Sequence, residues 1–293
     1  MELGLGTVQF GLDYGVSNTE GKVQPDEASR ILAAARQRGV RIIDTAASYG
    51  DSERVLGELT GGGGPYRTVT KLPSIGRERV TDRDIDGLRR SVDESLDRLR
   101  RSRIYGLLVH QANDLTARGG DGIYQLMDEL KVSGIVEKTG VSVYTADQIN
   151  RTVDRYAIDL IQVPVNVFDQ RLISSGSIGM LHARGIEIHA RSIFLQGLLL
   201  MPPESIHPRF GPYRNLIATY HSFLASHGMT PLEGAFAFAR SIPEIDVVLT
   251  GVTSLKEFEA NADAFHAAGP ETPDFSQFAV NDERLVNPAL WGT

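Results

Sequence analysis

The 293 residues contain no cysteine, which excludes disulfides and thiolate metal sites and leaves the compartment open. No apolar run reaches the roughly 18 residues that a membrane span requires. The opening MELGLGTVQF lacks a basic stretch followed by a long apolar one, so no secretory leader is read there. Positive charge is also short: 30 Lys and Arg stand against 37 Asp and Glu, a formal net charge of -7. The basic side chains are scattered among acidic ones, and no stripe of them could neutralise a phosphate backbone. These absences together read as a soluble, cytoplasmic protein that meets neither membrane nor nucleic acid.

What is present is a strict alternation of short β-rich runs with longer helical patterns. Eight runs stand out, at 3–8, 40–44, 67–71, 104–110, 136–142, 159–165, 186–190 and 246–251. Helical patterns lie between and after them, near 25–38, 51–59, 82–100, 122–133, 145–155, 174–184, 214–227 and 254–267. In the first of these, Ala28, Ile31, Leu32 and Ala35 make one apolar stripe at three- and four-residue spacing, and Gly39 closes it. Parallel neighbours need crossover helices, and right-handed crossovers curl the sheet round on itself. Eight such units therefore predict a closed (β/α)8 barrel occupying 1–293 as one domain, with 268–293 a tail over the barrel.

An open doubly wound sheet is the competing fold. Its dinucleotide fingerprint needs a strand, then GxGxxG, then a helix. The segment GLGTVQFG has no third glycine in place, and GGGG at 61–64 precedes a strand instead of a helix. A long loop at 192–213, with four prolines, follows the seventh run. Long loops on the carboxyl side of a barrel are where ligands are handled.

In such a barrel the chemistry belongs at the strand ends. The second run, VRIID, ends in Asp44, with Tyr49 in the loop beyond; the third ends in Lys71 within VTKLP; the fourth ends in His110 within LLVHQAN. Neighbouring strands lie about 4.8 Å apart, so these side chains can converge. Taken singly, each has a plain structural use: a turn aspartate, a surface lysine, a core histidine, a packed tyrosine. Together on three consecutive strand ends they suit proton delivery to a carbonyl oxygen. A free tyrosine, with a pKa near 10, is a slow acid at neutral pH. A neighbouring ammonium would lower that pKa, Asp44 would keep Lys71 charged, and His110 would orient the carbonyl.

At these residues the chain resembles the aldo-keto reductase superfamily, whose Asp, Tyr, Lys, His tetrad falls on Asp44, Tyr49, Lys71 and His110 within DTAASYGDSERVLGE, VTKLP and LLVHQAN. The resemblance covers nearly the whole chain. It implies NAD(P)H-dependent reduction of a small aldehyde or ketone, without a metal. NADP(H) is favoured by the family and NAD(H) is a possible cofactor. GVSVY at 140–144 and QVPVN at 162–166 imply that Ser142 and Gln162 hold the nicotinamide carboxamide. ARSIFLQGLL at 190–199 implies contacts by Arg191, Ser192, Phe194 and Gly197 near the nicotinamide and pyrophosphate, with Thr7 beside them. GVTSLKEFEAN at 251–261 implies an adenosine site with Gly251, Thr253, Glu257 and Asn261, and a helix N-terminus there suits phosphate independently.

Three departures from the family pattern stand out. Val143 replaces an Asn, Arg191 stands where many relatives have an aromatic, and Glu257 stands where many NADPH-specific relatives are basic or neutral. Two other functions compete with carbonyl reduction. One makes Lys71 a Schiff-base nucleophile of a lyase, although Asp44 beside it favours the ammonium. The other is a dinucleotide-sensing subunit without turnover.

Overall fold

The protein, described here by a computed structural model over residues 1–62, 64–267 and 272–291, closes eight parallel strands into one barrel. The strands are β1 (Glu2–Gly6), β2 (Ile42–Asp44), β3 (Arg67–Leu72), β4 (Ile104–Val109), β5 (Val136–Ser142), β6 (Leu160–Pro164), β7 (Glu187–Arg191) and β8 (Val247–Gly251). Closure comes from β8 pairing back onto β1, with Glu2 opposite Val247 and Gly6 opposite Gly251. The expected (β/α)8 barrel is therefore the fold. Its strands read as near-continuous apolar runs because both faces are covered: β4, IYGLLV, is buried along its length.

The barrel bore is filled by Ile42, Val69, Tyr105, Leu108, Leu160, Val247 and Leu249, a cluster separate from the larger one between strands and helices. Below it lies a charged floor. Arg67 donates to both carboxylate oxygens of Glu2, at 3.2 and 3.0 Å. Arg67 and Lys138 lie 5.0 and 5.2 Å from the Tyr105 ring centroid. The Tyr105 hydroxyl donates to Glu187 at 2.6 Å, Lys138 pairs with the same carboxylate, and His189 Nε2 meets it at 2.6 Å. Burial alone would raise the Glu187 pKa, yet the hydrogen bonds from His189, Lys138 and Tyr105 outweigh it and bring it down to about 2.

Some of the outer helices start at side-chain caps. Helix Asp82–Leu99 starts at a Thr81/Asp84 capping box, and its Leu88, Val92, Ser95 and Leu99 form the buried stripe. Besides the short helices Val8–Gly11 and Ala112–Thr116, two larger features differ from the sequence expectation. The pattern at 174–184 is two short helices, Arg171–Ser174 and Ser177–Ala183, with Gly176 between them at a φ of 73°. A further helix, Pro231–Arg240, follows helix Arg214–Ser226 before β8. Gly234 through Ala239 are all buried in it, so it shows no amphipathic stripe to read.

Of the segment expected as a tail, 268–271 and 292–293 lie outside the described residues. Residues 272–291 are tied to the loops after β6 and β7. Val280 N–H donates to Phe168 O at 2.9 Å, and Gln170 donates to Phe275 O at 2.8 Å. Trp291 packs its ring 4.7 Å from Phe210.

Candidate active site

The carboxyl ends of the strands gather the residues that the sequence singled out. Asp44 and Lys71 both point into the barrel mouth and are 6% and 2% exposed. The Lys71 ammonium has an acceptor for each of its three protons: Asp44 Oδ1 at 2.8 Å, Asp44 Oδ2 at 2.7 Å and Thr45 O at 2.8 Å. Burial draws the Lys71 pKa down, and the charge and hydrogen bonds of Asp44 oppose it. Asp44 Oδ1 also accepts from Gln162 Nε2 at 2.5 Å.

Tyr49 is half-buried in the loop after β2. Its ring centroid is 4.9 Å from Lys71 Nζ and 5.8 Å from the His110 ring, which meets it edge-on at 80°. The four side chains thus converge. The expected lowering of the Tyr49 pKa does not follow from this arrangement. Burial, then the negative charge of Asp44, pushes it above the ordinary tyrosine value, with Arg191 opposing. The lysine cation is spent on Asp44, and desolvation of the phenol wins. His110 is pulled from 6.5 down to about 4 by burial and then by the Lys71 charge. It is therefore a neutral imidazole at pH 7, and its Nδ1 lies 3.3 Å from Ser48 Oγ.

The loop carrying Tyr49 is held from below. Ser52 Oγ donates to Thr7 O at 2.8 Å and accepts from Thr45 Oγ1 at 3.0 Å. Glu53 is buried, where it accepts from Thr70 Oγ1 at 2.6 Å and pairs with Arg98 at 2.8 Å. These two residues and Gly11 were missed as parts of the site. A side chain at Gly11 would lie 1.7 Å from Tyr49 O, so only glycine lets the loop after β1 support the tyrosine backbone.

The remaining candidates divide. Thr7 is fully buried, and its hydroxyl donates to Asp44 O at 2.9 Å, so it fixes the backbone under the ion pair. Ser142 Oγ accepts from Arg191 Nε at 3.3 Å. Gln162 Oε1 is buried and has no hydrogen-bond partner among the described residues. Phe194 turns toward the core and meets Phe236 edge-on at 5.5 Å. Ser192, Leu195 and Gln196 take left-handed φ of 63°, 49° and 55°, beside Gly197 at 89°. Such a run outside glycine stores strain of about 1 to 3 kcal/mol per residue, a feature that clusters at ligand sites. A bridge ties this loop to the one after β1: Gln196 Nε2 donates to Tyr14 OH at 3.0 Å, and Ser17 Oγ donates to Gln196 O at 3.4 Å.

After β8, the strand between β7 and β1 in the barrel, Thr253 N–H and Oγ1 donate to Glu257 Oε2 at 2.7 and 2.9 Å, and Ser254 caps helix Leu255–His266. Asn261 is buried in that helix and Lys256 is exposed. Gly251 faces the Gln9 amide, whose buried Oε1 also lacks a partner. Among the described residues no group of three or more His, Cys, Asp or Glu side chains could hold a metal, and no helix is long and apolar enough to cross a membrane.

The sequence profile of the Aldo/keto reductase family matches residues 2–275. The chain belongs to the aldo/keto reductase family. A 6-dehydroglucose reductase of Novosphingobium aromaticivorans is 31% identical over 136 residues, 43% of this chain and 44% of that one. A D-threo-aldose 1-dehydrogenase of a Pseudomonas species is 29% identical over 183 residues, 52% of this chain and 55% of that one. The match thus spans about half the length of these relatives. An aldo-keto reductase of Bacillus halodurans solved in its holo form shares the fold, with a TM-score of 0.72 at 20% identity, covering 92% of this chain and 88% of that one.

Proposed function

We propose that this aldo/keto reductase family member reduces an aldehyde or ketone to an alcohol with NAD(P)H, Tyr49 supplying the proton. The observation that carries the reading is the convergence of Tyr49, His110 and the buried Asp44–Lys71 pair at one end of the barrel. The residues present suit a nicotinamide cofactor. The unpartnered Gln162 Oε1 is an acceptor waiting for an amide donor, and the strained loop at 192–197 offers backbone beside it. Gln162, Ser142 and Arg191 would hold the nicotinamide end, and Thr253, Glu257 and Asn261 the adenosine end. When bound, the reduced nicotinamide supplies the hydride.

The chain's own groups do the rest. Tyr49, with its raised pKa, holds its proton at neutral pH. As negative charge grows on the carbonyl oxygen, the hydroxyl delivers its proton. Lys71, 4.9 Å from the ring centroid, stabilises the phenolate that remains. With His110 Nδ1 accepting from Ser48, Nε2 carries the proton and donates to the same oxygen. Schiff-base chemistry at Lys71 fits less well, because the ammonium is locked by three acceptors.

The test is Tyr49→Phe. Loss of a general acid typically costs on the order of 10² to 10⁴ in rate, and cofactor affinity is expected to stay within a few-fold. A Phe variant that keeps more than a tenth of kcat, with chemistry limiting turnover, removes Tyr49 from the role. Wild-type protein that binds the dinucleotide but turns over no carbonyl in a broad panel points to the sensing subunit instead.

A further inference from the structure

Arg191 is a cation without an anion. It stands at the last position of β7, opposite Pro164, half-buried in the barrel mouth. Its guanidinium donates to Val143 O at 2.9 Å, Ser142 Oγ at 3.3 Å and Ser192 Oγ at 3.4 Å. Its carbon lies 4.2 Å from the Tyr144 ring centroid. Every one of these partners is neutral, and no carboxylate among the described residues pairs with it. The stacked, three-point grip fixes a flat cation in one place.

The charges at the mouth do not balance. Asp44 neutralises Lys71, His110 is uncharged at pH 7 with a pKa of about 4, and Tyr49 holds its proton. Arg191 is left over, so the site carries one net positive charge within a chain of formal charge -7. The excess is local: Arg191 touches Ser142, which faces Gln162 across the β5–β6 register, and Gln162 touches Asp44.

We propose that Arg191 makes the site discriminate between oxidation states of the nicotinamide, binding the uncharged reduced ring and repelling the positively charged oxidised one. This rests on the nicotinamide lying beside Ser142 and Gln162, as in the function proposed above. Two unit charges about 5 Å apart repel strongly enough to weaken binding by roughly fourfold at an effective dielectric of 80 and by a few hundredfold at 20. Oxidised cofactor is therefore held loosely as soon as it forms. The protein is built for reduction and rapid exchange of spent cofactor, and it works poorly as an alcohol oxidiser at balanced cofactor pools.

The experiment measures dissociation constants of NADPH, NADP⁺, NADH and NAD⁺ by calorimetry, on wild type, Arg191→Gln and Arg191→Lys. In wild type the oxidised form of each pair is expected to bind roughly tenfold or more weaker than the reduced form. Arg191→Gln should lower that ratio by a similar factor, chiefly through tighter binding of the oxidised form, and Arg191→Lys, which keeps the charge, should preserve most of it. A wild-type ratio near one overturns the proposal without any variant. So does a ratio that Gln leaves unchanged, or one that Gln and Lys lower equally, which would assign the effect to shape instead of charge. Wild-type protein that binds none of the four would instead refute the dinucleotide reading itself.

Discussion

Replacing Lys71 by Met removes the cation that faces the Asp44 carboxylate most closely. In the parent, the carboxylate receives two ammonium hydrogen bonds, at 2.8 and 2.7 Å, plus one from Gln162 at 2.5 Å, and the aspartate is 6% exposed. After the substitution only Gln162 remains. Stranding one charge of a buried pair costs about 3 to 5 kcal/mol, which for a chain of this size lowers Tm by roughly 5 to 8 °C. Asp44→Asn added to Lys71→Met removes the stranded charge, so the double variant should be about 2 kcal/mol more stable than the Lys71→Met single, though equally inactive. pH gives an independent arm. A buried carboxylate without its ammonium is easier to protonate in the folded than in the unfolded chain, so the Lys71→Met variant should regain stability as pH falls from 8 toward about 5, and the parent should not. Urea unfolding followed by circular dichroism at several pH values measures all of this. A double variant no more stable than the single, together with a flat pH response of the single, would falsify the pairing as the source of stability.

Three further outcomes are expected. Gly197→Ala places a Cβ 1.8 Å from Ser17 Oγ at a φ of 89°, so it should cost about 1 to 3 kcal/mol and speed hydrogen exchange in the loops after β1 and β7; a loss under about 0.5 kcal/mol contradicts the close approach. Glu187, with its pKa lowered from 4.5 to about 2, stabilises the fold fully above pH 4.5 and loses that contribution as pH falls through 2. Glu187→Gln should therefore be less stable than the parent by roughly 2 kcal/mol at pH 7, after allowance for solvent screening, with the gap closing in acid; a gap constant from pH 7 to 2 rejects the ionic floor. Glu257→Gln should raise the NADPH to NADH ratio of kcat/KM by roughly tenfold, less in high salt, while keeping an acceptor for Thr253; Glu257→Arg should add a capping loss of about 1 kcal/mol. An unchanged ratio in both variants moves the ribose contact away from Glu257 and toward Lys256.

The alternation of strands and helices was legible because the strands are largely buried on both faces and most crossover helices carry one apolar stripe. Asp44, Lys71 and His110 were legible because the strand end is a position that sequence order specifies. The helix Pro231–Arg240 escaped, since its buried GAFAFA core alternates with a period of two instead of a helical one, although Thr230 and Glu233 form the capping box that announces it. The direction of the Tyr49 pKa was misjudged for a different reason. A sequence shows which charges are near, but the desolvation of a phenol depends on loops after β1, β5 and β7 that meet only in the folded chain. Ser52 and Glu53 lie within the motif, but their roles are hidden in the sequence because their partners Thr7, Thr70 and Arg98 lie elsewhere along the chain.

The partners of Asp44 also impose an order on the birth of the site. Lys71 is 27 residues away along the chain, Thr7 is 37 and Gln162 is 118. During synthesis, β1 to β3 leave the ribosome with roughly 90 residues still to come before Gln162, an interval of about 5 to 20 s. In that interval the ion pair can form in water, where holding it costs almost no desolvation. The penalty of drying it falls on the moment when β6 to β8 close the barrel. Closure is thus the step at which a nascent chain is tested for a matched Asp44 and Lys71. A variant that mismatches them should stall there, with its first strands formed and its last ones exposed to chaperones and proteases.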